Sequence, residues 1–300
     1  MAALREIRKR IRSIKNIAQV TKAMQTVSAS KMRRAQLMAV ATRPYADKSW
    51  QVLSHLASRL GPAQRRRQPL LCQRPVQAVE VVLITSSRGL CGGYNHKVIE
   101  AAIDWIAQQT VPVRIVAVGR KGRDYASRYG LNVVAEISDL GDRPTPDEVR
   151  PIARLLLDDF EQGAADQVWL AYTEHISTLR QRPKVQVLLP IQPEGPGASA
   201  SYVPYLFEPD PEAILEPILR RCTEVQIYRA VLEALASEHS ARMVAMRSAT
   251  DNALRLIDEL TLGYNKARQE AITKEIIDIV GGVAALERAG AVAAGRRPSL

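Results

Sequence analysis

The chain has 300 residues, with 42 Lys and Arg against 31 Asp and Glu for a net charge of +11, a length that permits one to three domains with a sizeable core. Aromatic residues make up 5%, too few for broad base-stacking surfaces, and no run approaches the ~18 apolar residues of a membrane-spanning helix. Cys72, Cys91 and Cys222 are far apart and odd in number, which excludes a disulfide framework and gives no zinc ligand set, and with four His the expectation is a reduced, soluble, cytoplasmic protein.

Charge is concentrated at the start. Residues 1–67 hold 16 Lys and Arg and only two acids, Glu6 and Asp47, a net +14, so the remaining 233 residues sum to −3. An Arg-rich, acid-poor beginning is what a mitochondrial transit peptide would show, but the pattern runs well beyond the usual length of one. From Ala2 to Arg43 there is neither Gly nor Pro, and Leu4, Ile7, Ile11, Ile14 and Ala18 fall three and four apart. That spacing predicts one helix with a narrow apolar stripe. The stripe continues less cleanly through Val20, Met24, Val27, Met32, Ala35 and Met38. The helix is expected to reach about Leu60, interrupted near Pro44, a span of ~85 Å.

Residues 76–192 read as a separate α/β domain. Val79–Thr85 is a β-branched run suited to a buried strand. A glycine-rich turn follows, then a helix over Tyr94–Gln109, a strand over Val113–Gly119, a short helix near Lys121–Tyr129 and a strand near Asn132–Ala135. Pro146–Gln162 reads as a helix, and Gln167–Tyr172 and Lys184–Pro190 as strands. This alternation predicts a Rossmann-like domain with a mostly parallel sheet. Gly61–Arg74, Gly141–Asp147 and Pro193–Ser201 read as loops. No internal repeat is present.

A second long helix is expected over 208–288. Ile218–Leu262 contains no Gly or Pro, and apolar positions run from Val225 through Met246, Ala253, Leu256 and Leu260 to Ile272, Ile276, Ile277 and Val280. A narrow stripe needs a partner helix. Winding the two ends into an antiparallel coiled coil satisfies both; the alternative is that each packs separately on the globular core. Residues 289–300 read as a disordered tail.

No motif carries clear chemistry. Ser86–Asn95, SSRGLCGGYN, sits between a strand and a helix, where phosphate often binds, but Gly89, Gly92 and Gly93 do not make G-x-G-x-x-G, and no G-x-x-x-x-G-K-[ST] exists. A tight packing turn is the favoured reading. Cys91 has no local His or acid to activate it. Asp158 and Asp159 are neighbours that point apart on a helix, and Glu238–His239 lacks a second His at helical spacing. Nucleic-acid binding by the basic arm stays open, although residues 1–44 contain no aromatic. No catalytic, cofactor or metal residues are assigned.

Four stretches in the same order resemble the γ subunit of F-type rotary ATP synthases: LREIRKRIRSIKNIAQVTKAMQTVSASKMRRAQ near the start, SSRGLCGGYN, SEHSARMVAMRSATDNA (Ser237–Ala253) and LTLGYNKARQEAITKEIIDIVGGVAAL (Leu260–Leu286). The resemblance covers nearly the whole chain and begins almost at Met1, which leaves no room for a transit peptide and favours a bacterial protein on the cytoplasmic side of the cell membrane. It implies a non-catalytic rotor shaft without a cofactor, standing within three α and three β subunits and docked beside ε on the membrane c-ring, with no nucleic acid bound. The resemblance places Lys22 and Met24 against an acidic lever of β, and Arg268 and Gln269 as a polar catch on a β loop. Arg242 and Arg247 are weaker candidates, expected to be solvated. Ser87 stands where the family usually has Asp, and Val283 where it usually has Ala.

Overall fold

The computed structural model describes residues 2–59, 68–138, 140–192, 208 and 210–293. In chain order the elements are α1 (Ala2–Arg59), a 3-10 turn (Pro69–Leu71), β1 (Val79–Ile84), α2 (Tyr94–Ile106), β2 (Val113–Val118), α3 (Arg120–Arg128), β3 (Asn132–Ile137), α4 (Pro146–Glu161), β4 (Gln167–His175), β5 (Gln181–Leu189) and α5 (Pro211–Ala293). The chain divides into two compact units. The described parts of the first are residues 2–24 and 246–293; the second takes the described residues of 25–245.

The second unit is built on a five-stranded sheet of order β3-β2-β1-β4-β5. β1, β2, β3 and β4 are parallel, and β5 returns antiparallel to β4 at the edge. The expected mostly parallel sheet is present. β1 is buried along its whole length, as a central strand covered on both faces must be. On one face α2 and α3 cover Val79, Val81, Leu83 and Ile115 through Val98, Ile99, Ala102 and Ala126. On the other, Val82, Ile84, Val116 and Leu170 pack beneath α4, Leu53 and Leu56 of α1, and Leu215, Leu219, Ile227 and Val231 of α5. Local signals agree with this packing. α4 opens with Pro146 at its first position and a reciprocal capping box between Thr145 and Glu148. At the start of α5, Asp210 accepts from the Ala213 amide at 2.9 Å.

Three expectations about the long helices change. Pro44 lies inside α1 without interrupting it. A helical proline frees the carbonyl four residues earlier. Here that is Val40, which is 61% exposed, so water can replace the missing donor. The stripe on α5 is also not uniformly narrow. Within the second unit its buried positions form a broad face, from Leu215 through Cys222, Ile227, Val231 and Ala234 to Ser240. That part is an ordinary core helix. Helical backbone runs to Ala293 rather than 288. The loops expected at Pro193–Ser201 and in residues 61–67, and the tail from 294 onward, lie outside the described residues.

The first unit is where the narrow stripe persists. Its seam positions on α1 are Leu4, Ile7, Ile11, Ile14, Ala18 and Thr21, and on α5 Met246, Thr250, Ala253, Ile257, Leu260, Tyr264, Ala267 and Ala271, all buried or half-buried, with half-buried Met24 and Ala249 beside them. Both series alternate three and four, the repeat of a coiled-coil seam. Two contacts fix an antiparallel register. The Thr21 and Thr250 hydroxyls are 2.8 Å apart, and Arg8 Nη2 donates to the Tyr264 hydroxyl at 2.6 Å. Val20, Val27 and Leu256, read from sequence as part of the stripe, are exposed instead.

Candidate functional site: a glycine corner and a helical shaft

The glycine corner in the second unit is closed by its own side chains. Asn95 Oδ1 accepts from the Ser86 amide at 3.0 Å, while Asn95 Nδ2 donates to Ser86 Oγ at 2.8 Å. Gly92 takes φ +57, and a Cβ there would meet Ala245 at 3.9 Å. Gly119, at the end of β2, takes φ +99, and a Cβ would overlap the Thr85 carbonyl. That close approach brings the start of α3 onto β1. The Gly122 amide then donates to Thr85 Oγ1 at 2.8 Å, and the Lys121 amide to the Ser86 carbonyl at 3.1 Å. Two amides at the start of α3, which could otherwise face an anion, are thus consumed by the protein. A cavity of about 280 Å³ adjoins the corner, lined by Thr85, Arg88, Gly119, Asp142 and Glu238 among others.

α5 completes the corner from outside it. Arg242 Nη2 donates to the carbonyls of Arg88 and Gly89, both at 3.3 Å, and Arg242 pairs with Glu238 at 2.7 Å. The expectation that Arg242 is solvated is therefore corrected: it is 8% exposed. Its guanidinium answers two carbonyls just before the positive-φ residues Leu90 and Gly92. Arg247 is exposed as expected. Burial raises the Glu238 carboxyl above its usual range, against the opposing pull of Arg242. Ser87, where the family pattern has Asp, donates to the Ser138 carbonyl at 3.0 Å and so holds the ends of β1 and β3 together. Cys91 sulfur lies 3.3 Å from Asn95 Nδ2. Asp158 and Asp159 part company as expected, with Asp159 bound to Arg114. Among the described residues, no group of three or more His, Cys, Asp or Glu could hold a metal.

Sequence reading missed a carboxyl at the opposite end of the central strand. Glu80 on β1 is fully buried, and neither of its oxygens has a hydrogen-bond partner. The strand register sets it beside Arg114, whose Nε is 3.7 Å away. Burial, reinforced by the Asp159 carboxylate and only partly offset by Arg114, pushes its pKa up to about 8. It lies in a strand of otherwise apolar letters, and that context was the available signal.

In the first unit, Lys22 is exposed and Met24 half-buried beside the seam; Arg268 and Gln269 are both exposed. The two pairs are not brought together. Arg268 lies 18 residues beyond Thr250, the partner of Thr21, which at the helical rise is about 27 Å along the coil. The seam itself carries polar members that a search for apolar letters passes over. Thr21 and Thr250 follow the heptad count, and Tyr264 both accepts from Arg8 and lies 5.4 Å beneath its guanidinium. Beyond Ala271, every α5 residue through Arg288 is exposed, including Ile276, Ile277, Ile279, Val280 and Leu286. No helix of the described residues is long and apolar enough to cross a membrane.

Comparison with known proteins agrees with this architecture. A family model described as ATP synthase matches residues 3–286. The chain is 47% identical over 288 residues to an ATP synthase gamma chain of Dehalococcoides mccartyi, covering 95% of this chain and all of that one. It is 47% identical over 290 residues to the ATP synthase gamma chain of Chloroflexus aurantiacus, covering 95% and 99%. Among solved structures, a chain of the Euglena gracilis mitochondrial ATP synthase OSCP/F1/c-ring assembly superposes with a TM-score of 0.67 at 19% identity, over 100% of this chain and 97% of that one. A chain of the Tetrahymena thermophila mitochondrial ATP synthase central stalk and c-ring gives 0.58 at 22%, over 77% and 99%. At those identities the structures speak for the fold, and the family rests on the sequence matches: the chain belongs to the ATP synthase gamma chain family.

Proposed function

We propose that this chain is the central-stalk rotor subunit of a proton-translocating ATP synthase, coupling rotation of a membrane c-ring to conformational cycling of catalytic β subunits. The observation that carries the reading is the run of α5 past the seam. Its last exposed stretch presents isoleucines, valines and leucine to solvent on a helix with no remaining seam positions. An apolar helix of this kind must be covered, and a surrounding ring of three α and three β subunits would cover it. The two-helix seam below gives the stiffness a shaft needs, since both helices exclude proline from the first unit.

The mechanism is differential contact. An asymmetric shaft within a threefold ring touches each β differently, which biases each among open and closed conformations, and rotation permutes the bias. Nucleotide chemistry belongs to β in this reading, and the present chain contributes mechanical coupling without catalysis. Lys22 and Met24 would meet an acidic lever on β, and Arg268 and Gln269 would hold a β loop. Residues 1–24 contain seven Lys and Arg against Glu6 alone, so attraction to acidic surfaces is long-ranged and falls with salt. The foot of the rotor would dock on the c-ring beside ε, on the cytoplasmic side of a bacterial membrane, making membrane association indirect.

The test is the double substitution Arg268→Ala with Gln269→Ala in the assembled complex. Proton-driven synthesis or complex yield should fall while the melting temperature of the isolated chain stays near wild type. Equal loss of melting temperature and yield would make the pair structural. Deleting the chain should abolish proton-driven synthesis, and unchanged synthesis would refute the rotor reading.

A further inference from the structure

Four segments of the second unit meet in one polar cluster. Lys31 of α1 places Nζ 2.6 Å from Asp142 Oδ2, in the segment between β3 and α4. The other Asp142 oxygen faces His239 Nε2 of α5 at 3.7 Å, beyond hydrogen-bond reach, and this ring nitrogen has no hydrogen-bond partner among the described residues. His239 is 3% exposed. On its far side, Arg242 Nη1 lies 3.2 Å from His239 Nδ1. A guanidinium only donates, so Nδ1 is the acceptor and the ring proton sits on Nε2, facing Asp142. Burial, with Arg242 adding to it, lowers the His239 pKa to about 4, which keeps the ring neutral near pH 7. Arg242 closes the chain on the Arg88 and Gly89 carbonyls of the glycine corner.

The placement of this cluster is informative. The apolar packing of α5 on the sheet face ends at Ala234. The cluster follows directly, and the unit itself ends at Ala245. It thus lies near the point where each helix leaves that unit, beside the Ser237 and Ser240 hydroxyls, which donate to the Thr173 and Thr178 carbonyls. Apolar contact is non-directional, so a helix pair twisting on the sheet would exchange one greasy contact for another at little cost. The Lys31–Asp142 pair on α1 and the Arg242 bonds to the Arg88 and Gly89 carbonyls on α5 are charge-assisted, have fixed geometry and resist the same twist, with His239 packed between them.

We infer that Lys31, Asp142 and His239, completed by Arg242, form a torque clamp that locks the two helices to the α/β domain. These are positioning residues: they touch no nucleotide and act by preventing slip between the helices and the domain. The inference rests on the rotor reading above. Neither Lys31 nor Asp142 contributes to the apolar core, so their substitution should leave the fold in place.

The experiment uses the complete complex reconstituted in vesicles, with ATP-driven proton uptake and ATP hydrolysis measured together. Lys31→Met and Asp142→Ala should each lower protons pumped per ATP by about twofold, a loss on the scale of one part-exposed ion pair, with hydrolysis and melting temperature retained. Lys31→Arg, which keeps the pair, should restore the wild-type ratio. An unchanged ratio in an assembled Lys31→Met or Asp142→Ala complex overturns the clamp; so does a ratio that falls only in step with complex melting. If one of the two variants fails to assemble, the other decides. A wild-type chain that supports no coupled pumping would instead defeat the rotor reading, so the two failures are distinguishable.

Discussion

Replacing Glu80 with Gln should make the chain more stable, and increasingly so as the pH rises from 5 to 8. Glu80 is a fully buried carboxyl without a hydrogen-bond partner, and its pKa is pushed up to about 8 from the ordinary 4.5. The folded chain therefore holds this proton more tightly than the unfolded chain does. Below about pH 4.5 both states carry it and nothing is lost. Between about 4.5 and 8 only the folded state carries it, and stability falls by about 1.36 kcal/mol per pH unit. Above about 8 both states are ionised and the loss is constant, at most about 5 kcal/mol by the same relation. A neutral carboxamide of the same shape removes this proton. From pH 6 to pH 8 the wild-type chain should thus lose about 2–3 kcal/mol relative to Glu80→Gln, or about 5–10 °C of melting temperature in a domain of this size. Thermal melts followed by circular dichroism across pH 5–9 would measure the divergence. Parallel curves for the two proteins would refute the argument, because they would mean Glu80 is ionised in the fold at neutral pH.

Gly119→Ala should destabilise the second unit by about 2–5 kcal/mol, combining a left-handed φ with a Cβ driven into the Thr85 carbonyl; a melting temperature within 2 °C of wild type, about the shift expected for 1 kcal/mol or less, would contradict the assigned turn. Ala18→Leu should cost about 1–3 kcal/mol by forcing apart a layer where Ala18 and Ala253 are both buried on facing seams, read as earlier loss of helical signal in urea, with no change refuting the register. Cys222, whose thiol burial pushes its pKa up to about 11, should resist iodoacetamide in the native chain at pH 8 while the half-buried Cys72 reacts. Equal labelling of both would refute the packing of α5 on the core.

The sequence made the α/β domain legible because its signals are local. Val79–Thr85 reads as a covered strand from its letters alone, and Thr145 with Glu148 announces α4. The antiparallel return of β5 was not legible, since strand direction depends on the turn through Ser177 and Arg180, which pair by two backbone hydrogen bonds. The seam was half legible. Leu4 through Ala18 gave the count, but Thr21 and Thr250 carry it onward as hydroxyls, and following apolar letters instead led to Val20 and Val27 on the exposed side. Arg242 was misread for a related reason: its burial is set by carbonyls more than 150 residues away in sequence, which no local window contains. The surface residues Lys22, Arg268 and Gln269 have no local physical signature that separates a contact from a solvated face, so only the family resemblance singles them out.

The hydroxyl pair between Thr21 and Thr250 joins residues 229 apart, and the Arg8–Tyr264 bond spans 256. A nascent chain therefore releases its first helix long before the mate for that helix has been translated. The sheet, whose strands all lie between Val79 and Leu189, can close while the cationic leading segment still waits with its apolar flank wet. Zipping of the ends follows closure of the sheet, and until then that unpaired apolar flank is a site where partly folded chains can associate.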